Sequence, residues 1–177
     1  MRFAMGSGPE PLGTPYVEPE PDSPARRTSV SLGNLKLTSS AFSDGGEIPR
    51  ECGYKNGNKV PPLAVSGIPE GTESLTLIMD DPDAMGAVGK VWVHWVAWNI
   101  DPTNTELVNL TTEGMTDFGE VGYGGPAPPD KRHTYVFKLY ALNCKLEIAE
   151  ESTKADVEKA MEGHIIEQTQ LTGTYAP

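Results

Sequence analysis

The stretch Val91-Trp92-Val93-His94-Trp95-Val96-Ala97-Trp98-Asn99-Ile100 constrains the fold more than any other part of the chain. It is rich in β-branched and aromatic residues and places apolar side chains at both odd and even positions. Successive residues of a strand point to opposite faces, so both faces need cover and a central strand is expected. Asp101-Pro102 ends it, since proline has no amide to give to a ladder. Ser74–Asp80 and Thr134–Leu142 read as further strands, and a looser alternation from Thr169 to Tyr175 reads as a last one. Thr153-x-x-Asp156 forms a capping box with Asp in place of Glu and opens a helix with Val157, Met161 and Ile165 on one stripe. With 19 Gly and 16 Pro in 177 residues, turns are frequent. The expected class is mainly β with one clear helix.

Residues 1–27 carry six prolines and almost nothing apolar to bury, so a proline-rich flexible or extended tail is expected, with the globular domain over 28–177. Proline recognition by a partner is the alternative reading of that tail. No internal repeat is found. Asp plus Glu number 25 against 14 Lys plus Arg, a net charge of −11, which disfavours nucleic acid as partner and demands local donors for any anion. No apolar run approaches the ~20 residues of a membrane span. Met1–Pro9 lacks the apolar core of a signal peptide, so a cytoplasmic location is expected. The sequon Asn109-Leu110-Thr111 matters only in a secreted chain. Cys52 and Cys144 are too few for a disulfide scaffold or a Cys-rich zinc site; two free thiols, one long-range disulfide or a reactive cysteine stay open.

Four groups of residues have chemical potential. Asp81 and Asp83, spaced i, i+2 where a strand meets a loop, put both carboxylates on one side if the chain stays extended, and are ordinary turn chemistry otherwise. His94 shares a strand face with Trp92, Val96 and Trp98 and needs partners if buried. His133 opens another strand with Tyr135 on the same face. Gly124-Gly125-Pro126 lies in the Gly- and Pro-rich stretch 103–132, whose length marks a functional loop. Its adjacent glycines allow a backbone nest for an anion, or simply a stiff turn. His164, on the C-terminal helix, reads as structural.

These residues resemble a known family. Asp81-Pro82-Asp83-Ala84, His94-Trp95-Val96-Ala97-Trp98-Asn99-Ile100, Gly122-Tyr123-Gly124-Gly125-Pro126 with Pro128-Pro129, and His133 with Tyr135 are similar to motifs of the phosphatidylethanolamine-binding proteins, also called Raf kinase inhibitor proteins. Ile48-Pro49, Pro61-Pro62-Leu63 and Ala160-Met161-x-Gly163-His164-Ile165 resemble the bacterial and archaeal branch. The set runs in order from about Leu35 to Tyr175. The resemblance implies a β-sandwich with a central antiparallel-rich sheet, a C-terminal helix and few other short helices. It implies a small pocket for phosphate or a phosphoethanolamine head group, walled by Asp81, Asp83, His94, Gly125, Pro126, His133 and Tyr135, with the Gly124 backbone assisting. Three departures stand out: Met85 replaces a proline, Lys131-Arg132-His133-Thr134-Tyr135 lacks the family's glycine and second-position arginine, and Ala127 stands where many relatives carry cysteine.

The expected function is therefore non-enzymatic binding without a cofactor. In the expected mechanism both imidazoles donate to an anionic oxygen while an aspartate orients one ring or meets an ammonium group. The ligand is a small anion, a phospholipid head group, or a phosphorylated or acidic segment of a regulated kinase or peptidase. A homodimer is expected from microbial relatives. The alternative is a metal-dependent or His/Asp hydrolase, against which stand the wide histidine spacing and the lack of a Gly-x-Ser-x-Gly elbow.

Overall fold

Apolar side chains at consecutive strand positions build a sheet covered on both faces. The computed structural model describes residues 33–177; the tail expected over residues 1–27 lies outside them. In chain order the elements are β1 (Lys36–Thr38), β2 (Gly46–Glu47), β3 (Ala64–Ser66), β4 (Ser74–Asp81), α1 (Ala84–Val88), β5 (Trp92–Ile100), β6 (His133–Leu142), α2 (Lys154–Met161) and β7 (Ile165–Tyr175). Five strands form one sheet in the order β2-β7-β6-β4-β5, antiparallel except for β2 against β7. β1 and β3 pair as a second, two-stranded sheet.

All eight residues of β4 are buried, because each face of the large sheet has its own core. Leu75, Leu77 and Met79 pack with Trp95, Phe137, Leu139 and Leu171, and with Leu37 and Val65 of the small sheet. Ile78 packs on the other face with Val96, Trp98, Leu142 and the helix residues Val157 and Met161. Burial of each of these helix side chains contributes about 2 kcal/mol. The Thr153–Asp156 capping box closes reciprocally: Asp156 N–H donates to Thr153 Oγ1 at 3.3 Å and Thr153 N–H to Asp156 Oδ2 at 3.0 Å.

Four expectations about elements change. β5 is covered on both faces but lies at the sheet edge, since burial reports what covers a strand and not what pairs with it. Its free edge is instead capped by the long loop: Gly114 N–H donates to Val96 O, and Gly124 N–H to His94 O, each at 2.8 Å. The helix stops at Met161, so Ile165 starts a strand rather than extending the helical stripe. His164 sits in the intervening turn, where it hydrogen-bonds Asn143 Oδ1 at 3.0 Å. The last strand begins at Ile165 rather than Thr169. Cys52 and Cys144 are both free thiols, and burial raises the Cys52 pKa to about 11.

Candidate functional site

A bulge in β5 decides where His94 points. Met79 of β4 pairs with Trp95 and Asp80 with Val93, so His94 is the extra residue between two successive pairs. Each one-residue insertion exchanges the faces of the residues beyond it, and bulges commonly re-aim a side chain beside a site. Val96 and Trp98 consequently join the helix-side core, while His94 packs edge-on against Tyr135, a member of the opposite core, with ring centroids 5.2 Å apart. Strict alternation had put His94 on the face of Val96 and Trp98; it shares the cleft with Trp92 only.

Buried His94 uses one nitrogen to hold the long loop. Its Nδ1 lies 2.6 Å from Gly124 O, and a carbonyl only accepts, so Nδ1 bears the hydrogen. Nε2 has no protein partner among the described residues. Burial holds the ring below the usual histidine range, against the pull of Gly124 and Asp81. The neutral ring therefore presents Nε2 as an acceptor, the reverse of the donor role expected for it.

His133 is the opposite case. Its Nδ1–H donates to Asp81 Oδ2 at 2.6 Å and its Nε2–H to Asp130 Oδ1 at 2.8 Å. Burial works against its charge, but the two carboxylates outweigh burial and raise its pKa. The same bond holds the Asp130 carboxyl below its usual range. His133 is thus an imidazolium clamped between two carboxylates.

Asp83 does not line the cleft. The chain turns into α1 at Asp83, whose backbone is helical, and its Oδ2 accepts from Thr134 N–H at 2.8 Å. The extended geometry that would align it with Asp81 is lost, and it ties the start of β6 to α1. Gly124 and Gly125 do not form an open nest either: Gly124 N–H goes to His94 O and Gly125 N–H to Asn58 Oδ1 at 2.7 Å. They are glycines because of close approach, since a Cβ on Gly125 would lie 2.0 Å from Cys52 O and one on Gly124 2.5 Å from the Phe118 ring. Pro126 faces away into a groove with Arg50 and Tyr175, and its carbonyl accepts from Tyr54 N–H. Asp81, His94, His133 and Tyr135 do come together.

The cleft they share holds about 230 Å³ and is walled otherwise by Trp92, Phe118, α1 and the Ala127–Pro129 segment. Three buried polar atoms there lack a partner among the described residues: Asp81 Oδ1, Trp92 Nε1 and, set back from the lining, the Tyr135 hydroxyl. Burial, with Asp81 beside it, pushes the Tyr135 phenol up. Unpaired buried polar atoms are costly, and a guest with both donors and acceptors would satisfy them. Sequence reasoning missed Trp92, Phe118, Asn58 and Asp130. Of these, Trp92 left a local signal two residues before His94 on its strand, and Asp130 another, an acid three residues before His133. Among the described residues no cluster of three His, Cys, Asp or Glu is arranged for a metal, and no helix is long and apolar enough to cross a membrane.

Residues 38–176 match the family model described as phosphatidylethanolamine-binding protein. A UPF0098 protein of Methanothermobacter thermautotrophicus is 40% identical over 151 residues, covering 80% of this chain and 98% of that one. The crystal structure of a phosphatidylethanolamine-binding protein homologue from Chlamydia trachomatis superposes with a TM-score of 0.75 at 38% identity, covering 80% of this chain and 96% of the other. YbcL of Escherichia coli, described as a new member of the mammalian family, gives 0.72 at 32% identity, covering 80% and 97%.

Proposed function

The chain belongs to the phosphatidylethanolamine-binding protein family, of the bacterial and archaeal type, and from that premise we propose that its cleft binds a small oxyanion, phosphate or a phosphoethanolamine head group, at His133. One observation carries the reading: a carboxylate oxygen, that of Asp130, already sits 2.8 Å from His133 Nε2, so the imidazolium presents a charge-assisted donor of the kind an oxyanion takes. Trp92 Nε1–H supplies a further unpaired donor, with the Tyr135 hydroxyl behind it beside Asp81, and Asp81 Oδ1 and His94 Nε2 supply acceptors for a phosphate hydroxyl or an ammonium group. Among the described residues no serine, threonine or cysteine lines the cleft, which favours binding over covalent hydrolysis.

Titration of the full chain with inorganic phosphate and O-phosphoethanolamine, followed by amide NMR, tests the reading. Shifts are expected at Trp92, Phe118 and residues 127–134. His133→Ala should weaken binding by roughly tenfold or more, the value of a charged hydrogen bond. Trp92→Phe removes an N–H that no described residue accepts, so the fold should be kept, and it should weaken binding by roughly threefold to fivefold. Unaltered shifts in both variants would sink the proposal.

A further inference from the structure

We infer that Asp130 is a resident competitor at the cleft: its carboxylate occupies the His133 nitrogen that an incoming oxyanion needs, and the ligand binds by displacing it. The inference rests on the reading that an oxyanion is bound at His133. It is carried by the contrast between the two carboxylates on that ring. Asp81 Oδ2 is fixed in the core, its side chain 4% exposed, whereas the Asp130 side chain is 46% exposed while the imidazole it covers is fully buried. Asp130 belongs to the loop before β6, and its side chain makes one other hydrogen bond among the described residues, accepting from the neighbouring Lys131 N–H at 2.9 Å. Rotated outward, its carboxylate returns to water, and the bond it gives up on the buried ring is the one the ligand oxygen takes over. Asp81, buried against the ring, has no such exit.

Displacement also suits the charge balance. With Asp130 in place, one imidazolium faces two carboxylates, and a phosphate brought beside both meets repulsion in a chain of net charge −11. With Asp130 turned out, the ligand oxygen inherits its hydrogen bond. The gate is local, since Asp130 is the only described residue bonded to Nε2.

The test uses the full chain with inorganic phosphate and O-phosphoethanolamine as probes. Asp130→Ala should tighten binding of phosphate by roughly threefold to tenfold, the range between an exposed ion pair and a charged hydrogen bond. Because Asp130 is half exposed but pairs with a buried imidazole, the melting temperature should fall modestly with the fold kept, which near-ultraviolet circular dichroism and calorimetry check. Glu120→Gln removes another exposed carboxylate, one that accepts from Tyr54 Oη and leaves His133 untouched. Its affinity should stay within about twofold of wild type, separating displacement from a general loss of negative charge. In wild-type protein the Asp130 carboxyl carbon resonance should shift on saturation as its bond to His133 breaks. Unchanged or weaker affinity in Asp130→Ala, an equal gain in Glu120→Gln, or an unmoved carboxyl resonance overturns the inference. If wild type binds through His133 but Asp130→Ala gains nothing, the oxyanion reading survives and the competitor fails. If neither protein binds either probe, the oxyanion reading fails and takes the competitor with it.

Discussion

His94 and His133 enter one cleft from β5 and β6, the two strands that flank β4, and both imidazoles are buried. Their surroundings divide at Nδ1. On His94 that nitrogen meets the Gly124 carbonyl, a dipole, and Phe118 and Tyr135 pack edge-on at 5.3 and 5.2 Å. On His133 it meets the Asp81 carboxylate, a full charge, and a second carboxylate takes Nε2. A dipole does not offset the cost of burying a cation, so His94 stays neutral; two carboxylates do, so His133 is charged. The pair thereby gives the cleft one donor face and one acceptor face. This asymmetry suits a ligand with both hydrogen-bonding polarities better than two equivalent imidazoliums would.

The contrast breaks most severely at Asp81. Asp81→Ala leaves the His133 cation with only its exposed partner, and loss of one member of a buried pair is expected to cost about 3 kcal/mol. Urea unfolding at neutral pH checks this, and NMR should show the His133 pKa falling toward that of His94. A smaller effect is expected on the neutral side. His94→Ala empties the space between Phe118 and Tyr135 and strands the Gly124 carbonyl, at about 2 kcal/mol. Here unfolding should be accompanied by increased amide exchange around Gly124, while the His133 titration stays in place. A His133 pKa that moves as far in His94→Ala as in Asp81→Ala would erase the distinction between the two rings.

Much of this arrangement was readable from the residues, and the failures share a cause. Strand identity follows from apolar and β-branched content, so β4, β5 and β6 were legible, as was the capping box at Thr153. The face of His94 was not, because a one-residue bulge reverses side-chain parity without any mark in composition. The family resemblance implies Asp83 as a pocket wall, but the extended geometry that would align it with Asp81 gives way to a helical backbone at Asp83. The conformational freedom of glycine allows a nest or a stiff turn at Gly124 and Gly125, and the structure shows their amides already engaged and the need for glycine to be steric. Asp130 was overlooked because a lone loop carboxylate carries no periodicity; its meaning arises from what it touches. Strand propensity is local, whereas the protonation of a buried group is set by residues far off in sequence, such as Asp81, 52 residues from His133.

The smallest expected effect is the one that separates the rings most finely, the dependence of stability on pH. Both histidines start from an ordinary value of 6.5 in the unfolded chain. The folded pKa of His94 is depressed, so its contribution is present above 6.5 and is lost as pH falls toward the folded value. That of His133 is raised, so its contribution is full below 6.5 and is lost as pH rises through the folded value. Together they predict a stability maximum near 6.5 with a shallow fall on each side. The lowered carboxyls of Asp130 and Asp156 act only at more acidic pH, where they lose stability as they protonate. Urea midpoints measured from about pH 5 to about pH 9 should show both limbs in wild type. His94→Ala should flatten the acidic limb alone, and His133→Ala the alkaline limb alone. A variant that flattens both limbs would mean that the two rings titrate as one coupled unit, and that the donor and acceptor faces of the cleft are not independent.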